Sequence, residues 1–253
     1  MTYQRQCQQV AGWLASSQQS VVFTGAGIST ESGIPDFRSP GGVWSRNRPV
    51  MFQDFLADRD SRREYWRQKS EAQADFAAAQ PNAGHRVLAD WERGGVIRGV
   101  ITQNIDGLHQ EAGSRDVLEL HGTARAIQCL ACGARSDPAP AVEHFLSTGN
   151  PPECVECGGP LKHATVSFGQ QLPEDVIEEA DQWSRQCDLF LAMGSSLVVE
   201  PAASLPRTAV AAGAKLVIIN RDPTDQDEAA GVVLNHSIGE TLARIDRLLS
   251  LGP

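Results

Sequence analysis

The stretch VVFTGAGISTESGIPDFRS, Val21 to Ser39, decides the fold. Its first four residues form a short apolar run that ends in Gly25-Ala26-Gly27, the way dinucleotide-binding loops leave a strand. Gly25 and Gly27 permit close backbone approach, and amide groups at the start of the following helix can meet a pyrophosphate. The third position of the common G-x-G-x-x-G pattern is Thr30 rather than glycine. Helix and strand therefore pack differently from those of a hydride-transferring dehydrogenase.

Three further apolar runs share this character: Val96 to Thr102, Leu189 to Met193 and Lys215 to Asn220. Each is short, rich in Val, Ile or Leu, and bounded by turn residues, as buried parallel strands are. Helix-like segments, Asn82 to Arg93, Pro173 to Gln186 and Pro201 to Ala212, alternate with them, and a last helix is expected over Ile238 to Leu249. The alternation implies right-handed βαβ units in an α/β fold with a doubly wound, parallel, Rossmann-like sheet. At the strand tips stand Gly25-Ala26-Gly27, Gln103-Asn104-Ile105-Asp106, Gly194-Ser195-Ser196 and Asn220-Arg221-Asp222. Turn chemistry would explain any one of them, but four together point to one ligand crevice beyond the carboxyl ends of the strands. Asn220 on its own reads equally as a turn cap or as a ribose or adenine contact.

Cys129, Cys132, Cys154 and Cys157 form C-L-A-C and C-V-E-C knuckles, about twenty residues apart, which is tetrahedral zinc spacing. Two disulfides are the competing reading, disfavoured in a reducing compartment. Four thiolates leave the ion no open position, so one structural zinc per chain is expected. Cys7 and Cys187 lie outside the pattern. The cysteine module, 123–163, interrupts the strand and helix alternation, as does a charged, helix-like stretch at 41–80. The domains expected are thus 1–40, 81–122 and 164–253 for the sheet, with the insertions 41–80 and 123–163 packed together as a smaller domain above its ligand edge.

With 253 residues, 41% hydrophobic and 21% charged, the chain can bury a sizeable core. Its formal net charge of -9 argues against a surface for phosphate backbones, so no nucleic-acid partner is expected. The N-terminal stretch lacks the apolar segment of a signal peptide, and no stretch is long and apolar enough for a bilayer. A cytoplasmic monomer without membrane attachment is the expectation.

Three more segments flank the strand tips: TQNIDGLHQEAG (Thr102 to Gly113), LELHG (Leu118 to Gly122) and VSFGQQLP (Val166 to Pro173). His121, after a short apolar run and before Gly122, can turn an imidazole toward the crevice, where a neutral ring suits general base work. His85 and His109, in helix-like contexts, read as structural.

Together these pieces closely resemble the sirtuin family of NAD-dependent protein deacylases. The match is carried by Gly25 to Ser29, Gly33 to Arg38, Thr102 to Asp106, His121-Gly122, the four cysteines, Phe168-Gly169, Gly194 to Ser196 and Asn220, in the family's order over nearly the whole chain. The resemblance implies that NAD is a co-substrate to be cleaved: the acyl group of an acylated lysine in a protein or peptide passes to ADP-ribose, and nicotinamide is released. It implies His121 as the base, with Asn104 and Asp106 positioning the reacting ribose and nicotinamide amide. Ala26, Phe37 and Ile105 would wall the nicotinamide, with Gly25, Gly27, Ser29, Thr30, Arg38 and Gln103 completing that side. Gly194, Ser195, Ser196, Asn220, Arg221, Asp222 and Ile238 would hold the adenosine half, and Val166, Phe168 and Gly169 would lie beside an extended peptide. Two alternatives share the cleft: protein mono-ADP-ribosylation, and NAD binding without catalysis. Relatives that prefer acidic acyl chains place an arginine three residues after a tyrosine. Here Tyr65 is followed by Gln68, so uncharged acyl groups, acetyl or a longer apolar chain, are expected, unless a one-residue shift of the helix brings Lys69, or Arg67 or Arg63, to that place.

Overall fold

The computed structural model describes residues 1–45 and 47–251; the side chains of Trp44, Gln73, Ala74, Asp75 and Ala77 are outside the description. Six strands form the central sheet: β1 (Ser20–Thr24), β2 (Gly99–Thr102), β3 (Val117–Glu119), β7 (Leu189–Met193), β8 (Lys215–Ile219) and β9 (Val232–Leu234). They lie in the order β3-β2-β1-β7-β8-β9, and every neighbouring pair is parallel. The order reverses beside β1, which puts the topological switch point between the tips of β1 and β7. The expected parallel, doubly wound sheet is therefore present.

Both faces of the sheet are covered, which is why its strands are unbroken apolar runs. Val22, Val100, Leu191, Val217 and Ile219 face one side with Leu14, Leu88, Trp91 and Leu242. These come from α1 (Tyr3–Ser16), α4 (Ala83–Arg93) and α9 (Ile238–Ser250). Val21, Phe23, Ile101, Phe190 and Ile218 face the other side with Ala180, Trp183, Leu205 and Ala209, from α7 (Glu174–Gln186) and α8 (Leu205–Ala211).

Local chemistry moves some boundaries from those the sequence suggests. The run from Val96 does not enter the sheet until Gly99. The turn that closes α4 engages the Val96 and Ile97 amides, which donate to the Trp91 carbonyl at 2.8 and 3.4 Å. The segment from Pro201 splits into a short 3-10 turn, Ala202–Ser204, and α8, because Pro206 at the start of α8 has no amide to continue the earlier turn.

A second sheet, antiparallel in the order β5-β4-β6, is built from β4 (Gly122–Cys129), β5 (Arg135–Ser136) and β6 (Leu161–Thr165). Around it stand α2 (Phe52–Ala57), α3 (Arg59–Ala78) and α6 (Pro138–Thr148), while α5 (Leu108–Ala112) belongs to the segment after β2. Phe55, Tyr65 and Trp66 share one buried cluster with Ile127, Ala141, Val142 and Phe145, so the two inserted stretches have a common core. Trp66 donates its indole N–H to the Leu161 carbonyl at 3.1 Å.

Candidate active site and metal centre

The carboxyl ends of the large sheet and the inner edge of the small one border a crevice of about 1020 Å³. That exceeds the usual span of small-ligand pockets, about 300–1,000 Å³, and suits a dinucleotide together with a second reactant. Ala26, Gly27, Thr30, Phe37, Arg38, Gln103, Asn104, Ile105, His121, Gly194, Ser195, Ser196, Asn220, Arg221, Asp222 and Ile238 are all on its wall, as are Val166, Phe168 and Gly169. Gly25, Ser29 and Asp106 are not; the structure places them directly behind it.

In the glycine loop the two glycine amides are bonded within the protein, so any pyrophosphate contact falls to other amides at the start of the following helix. The Gly25 amide donates to the Met193 carbonyl (3.0 Å) and the Gly27 amide to the Gly194 carbonyl (2.8 Å). Both N–H groups are thus engaged within the protein and cannot cradle a pyrophosphate. The close approach these glycines permit is of backbone to backbone: a Cβ on Gly27 would stand 2.6 Å from the Gly194 Cα. The loop runs on into a 3-10 helix, Ala26–Ser32.

Behind the wall lies a layer of oriented hydrogen bonds. Ser29 donates its hydroxyl to Asp106 Oδ2 at 2.7 Å and accepts from Asn104 Nδ2 at 3.1 Å. The same Nδ2 also donates to the Gly25 carbonyl (3.2 Å), which leaves Oδ1 as the polar atom Asn104 can offer a ligand. Asp106 Oδ1 accepts the Leu108 amide at 2.9 Å, so its carboxylate orients the loop. Ser195 donates to Gln103 Oε1 at 2.7 Å, joining the tips of β2 and β7.

His121 sits between β3 and β4. Its Nδ1–H donates to the Gln103 carbonyl at 2.9 Å. With the proton fixed there, Nε2 carries the lone pair and is available to the crevice. Burial pushes its pKa below the ordinary histidine value, although the Gln103 carbonyl partly opposes this, so the ring is neutral near pH 7. His85 and His109 are fully buried; desolvation drives His85 to about 4 and His109 to about 3.

At the adenosine end, Asn220 donates to the Asp222 carbonyl at 2.7 Å, the turn-capping contact, while also lining the crevice. Arg221 donates to Ser39 Oγ at 2.6 Å, tying the tip of β8 to the loop after the glycine segment. Along the peptide-facing edge, the Val166 amide donates to the His121 carbonyl (2.8 Å) and Phe52 donates to the Phe168 carbonyl (2.9 Å).

At the small-domain end the wall includes Tyr65, Gln68 and Lys69, the residues on which the acyl-group expectation turned. Gln68 turns its amide away, to the Arg48 carbonyl and to Glu64 Oε1, both at 2.8 Å. Lys69 lies 5.6 Å from the Tyr65 ring centre and forms no ion pair among the described residues. Desolvation lowers its pKa to about 8. Val50 and Pro49 reach the wall from an irregular segment that carries no sequence signal.

The four cysteine sulfurs all lie within 4.8 Å of one another, with Cys129 to Cys157 at 3.5 Å and Cys132 to Cys154 at 3.8 Å. A tetrahedron with metal–sulfur distances of about 2.3 Å has edges of about 3.8 Å, so this donor set fits zinc. Gly133 and Gly158, at φ +77° and +72°, close each knuckle by donating to the carbonyls of Cys129 and Cys154. The site has no position left for substrate and stands apart from the crevice.

A model of the Sir2 family matches residues 25–201, which takes in the glycine loop, His121, the four cysteines and the Gly194 tip. The chain belongs to the Sir2 family. Over 237 residues, 93% of this Sir2 chain and 94% of the relative, it is 52% identical to an NAD-dependent protein deacetylase of Rhodopseudomonas palustris. An NAD-dependent protein deacylase of Archaeoglobus fulgidus is 44% identical over 92% of the chain and 91% of its own length. Among solved structures, a Sir2 protein with a p53 peptide and NAD+ superposes with a TM-score of 0.88 at 37% identity, covering 96% of this chain and 98% of that one. A Sir2 protein bound to a propionylated peptide gives 0.85 at 37% identity, covering 94% and 96%.

Proposed function

We infer that the protein is an NAD-dependent protein-lysine deacylase that passes the acyl group of a modified lysine to ADP-ribose and releases nicotinamide. The observation that carries this reading is His121: a neutral imidazole, its proton held on Nδ1 by donation to the Gln103 carbonyl, presenting Nε2 to a crevice that Asn104 also faces. Bound NAD supplies a ribose carbon made electrophilic by the departure of nicotinamide. The chain's own work is to orient and shield that centre. Asn104 is held so that only Oδ1 meets the ribose. Phe37 and Ile105 keep an apolar wall on the nicotinamide side, where desolvation favours charge dispersal. His121 Nε2 takes the proton of a ribose hydroxyl as the acyl group is transferred. Val166, Phe168 and Gly169 form the edge beside which an extended peptide would lie. The cysteine knot would hold one zinc ion that keeps β4 and the segment before β6 in register.

Physiologically, we propose a cytoplasmic monomer that acts on acylated lysines in proteins or peptides, with neither nucleic acid nor membrane as partner. The net charge of -9 supports the first exclusion. Among the described residues no helix is long and apolar enough to cross a membrane. Residues 41–80 and 123–163 are taken as one small domain on the rest of the chain.

Incubation with NAD and an acetyl-lysine peptide tests the reading. Equal amounts of nicotinamide and free lysine are expected; label from NAD carried onto protein points to ADP-ribosylation, and absence of turnover to a binding module.

A further inference from the structure

Beneath the crevice floor, a line of side chains leads from α5 to the main chain of Asn104. His109 Nε2 lies 2.9 Å from Thr24 Oγ1, Thr24 donates to Thr102 Oγ1 at 2.8 Å, and Thr102 Oγ1 accepts the Asn104 amide at 3.0 Å. All four residues are buried, and Thr24 and Thr102 are register partners at the tips of β1 and β2.

The neighbouring ring fixes the direction of this line. His85 Nδ1 accepts the Asn82 amide at 3.4 Å, so the His85 proton resides on Nε2. His85 Nε2 and His109 Nδ1 are both buried and have no partner in the protein, on rings whose centres are 4.9 Å apart. If Nδ1 of His109 also bore a proton, two donors would be stranded in one apolar space. With His109 protonated on Nε2, a donor on His85 meets an acceptor on His109, either directly or through one water. His109 then donates to Thr24, Thr24 to Thr102, and Thr102 accepts Asn104.

We propose that His109, Thr24 and Thr102 are positioning residues: their hydrogen-bond column fixes the Asn104 backbone so that Oδ1 is held at the crevice while the Asn104 amide group is tied to Gly25 and Ser29. The kinetic part of this proposal rests on the deacylase reading, since it assigns Asn104 to the reacting ribose. The column itself does not.

The test uses Thr102→Val, which keeps the shape and removes the acceptor, beside Thr102→Ser, which keeps it; Thr24→Val and Thr24→Ser form a second pair should the first valine variant fold poorly. In the NMR spectrum of the NAD-free protein, the side-chain amide resonances of Asn104, assigned by their loss in Asn104→Ala, are expected to shift or broaden in the valine variants and return in the serine variants. In steady-state assays kcat is expected to fall about 10- to 100-fold in the valine variants, as misplacement by an ångström costs, with KM for peptide within about threefold. Serine is expected to restore kcat to within about threefold. A merely structural role would lower the melting temperature of the valine variants while leaving the Asn104 resonances and the kcat of the folded fraction unchanged. That result overturns the proposal, as does serine failing to rescue. A wild-type protein that turns over no acyl-lysine would refute the deacylase reading instead, and the resonances would still judge the column.

Discussion

Replacing Gly27 by alanine tests the contact at the switch point. Gly27 does not occupy the left-handed region, so alanine meets no backbone penalty there and the whole cost is steric. The added Cβ would lie 2.6 Å from the Gly194 Cα and 2.9 Å from its carbonyl oxygen. Carbon atoms rest about 3.5–4.0 Å apart, so the loop and the β7 tip must separate by about 1 Å. The 2.8 Å bond from the Gly27 amide to the Gly194 carbonyl would then exceed hydrogen-bond length. Overpacking costs about 1–3 kcal/mol and the lost bond about 1 kcal/mol, so about 2–4 kcal/mol in all. At about 2–4 °C per kcal/mol for a chain of this size, the melting temperature is expected to drop by about 5–15 °C. Because Gly27 and Gly194 both form the crevice wall, the displacement should also lower kcat/KM about 10²-fold. Gly12→Ala is the control: its site on α1 is exposed with nothing within 4 Å, and helix propensity alone should stabilise it by about 0.5–1 kcal/mol. Calorimetry and steady-state kinetics read both. A Gly27→Ala protein that melts within about 2 °C of wild type and turns over within about twofold would refute the claim that these glycines serve strand-tip packing.

Other perturbations have equally definite outcomes. His121→Ala should lower acyl transfer by about 10²-fold or more while NAD still binds by calorimetry; in the parent enzyme the acid limb of kcat/KM should fall below pH 6.5, the side to which burial moves this ring. Cys129→Ser should release the metal, measured by elemental analysis, and abolish the near-ultraviolet signal of the Trp66 cluster, since Cys129 ends β4 beside Ile127. Stability should fall on acidification from about pH 6.5 toward pH 3: His85, His109 and His163 bind protons readily only when unfolded, because burial lowers each to about 3 or 4. The buried Lys162, lowered to about 7 by desolvation, should make stability rise with pH between about 7 and 10, and Lys162→Met should flatten that rise in denaturant titrations. Lys69→Met should reduce the ratio of succinyl to acetyl turnover on one peptide severalfold, because a carboxylate at that end of the crevice would lose its one nearby cation among the described wall residues from the small domain; an unchanged ratio would show that the acyl end lies elsewhere.

Sequence legibility followed burial. The strands β1, β7 and β8, sealed on both faces, are continuous apolar runs with little else they could be. The short β3 and β9 were hidden because three residues carry no period, and pairing with β2 and β8 makes them strands. Helix α1 did leave a trace: Cys7, Val10, Ala11 and Leu14 are its buried stripe, diluted by glutamines between them. The cysteine knot was readable because metal spacing is local. The amide accounting of the glycine loop was not, since Gly25 and Gly27 spend their N–H groups on Met193 and Gly194, far along the chain. The choice between Gln68 and Lys69 stayed open in the sequence because helix phase at the crevice depends on how Trp66 of α3 packs on Phe145, which the spacing of Tyr65 cannot reveal.

His121 is strung between the two sheets: its carbonyl accepts the amide of Val166, just past β6, while its ring leans on the tip of β2, which in turn is joined to the tip of β7 through Ser195. These supports are spread over the chain from Gln103 to Ser195 and across both sheets. A nascent or half-folded chain that has closed the long loops of one sheet but not the other has no oriented base, and the wall from Ala26 to Ile238 is incomplete until the last strand and helix have docked. A half-folded chain thus lacks both the oriented base and the closed wall, so the dinucleotide meets this chemistry only where the two sheets have docked.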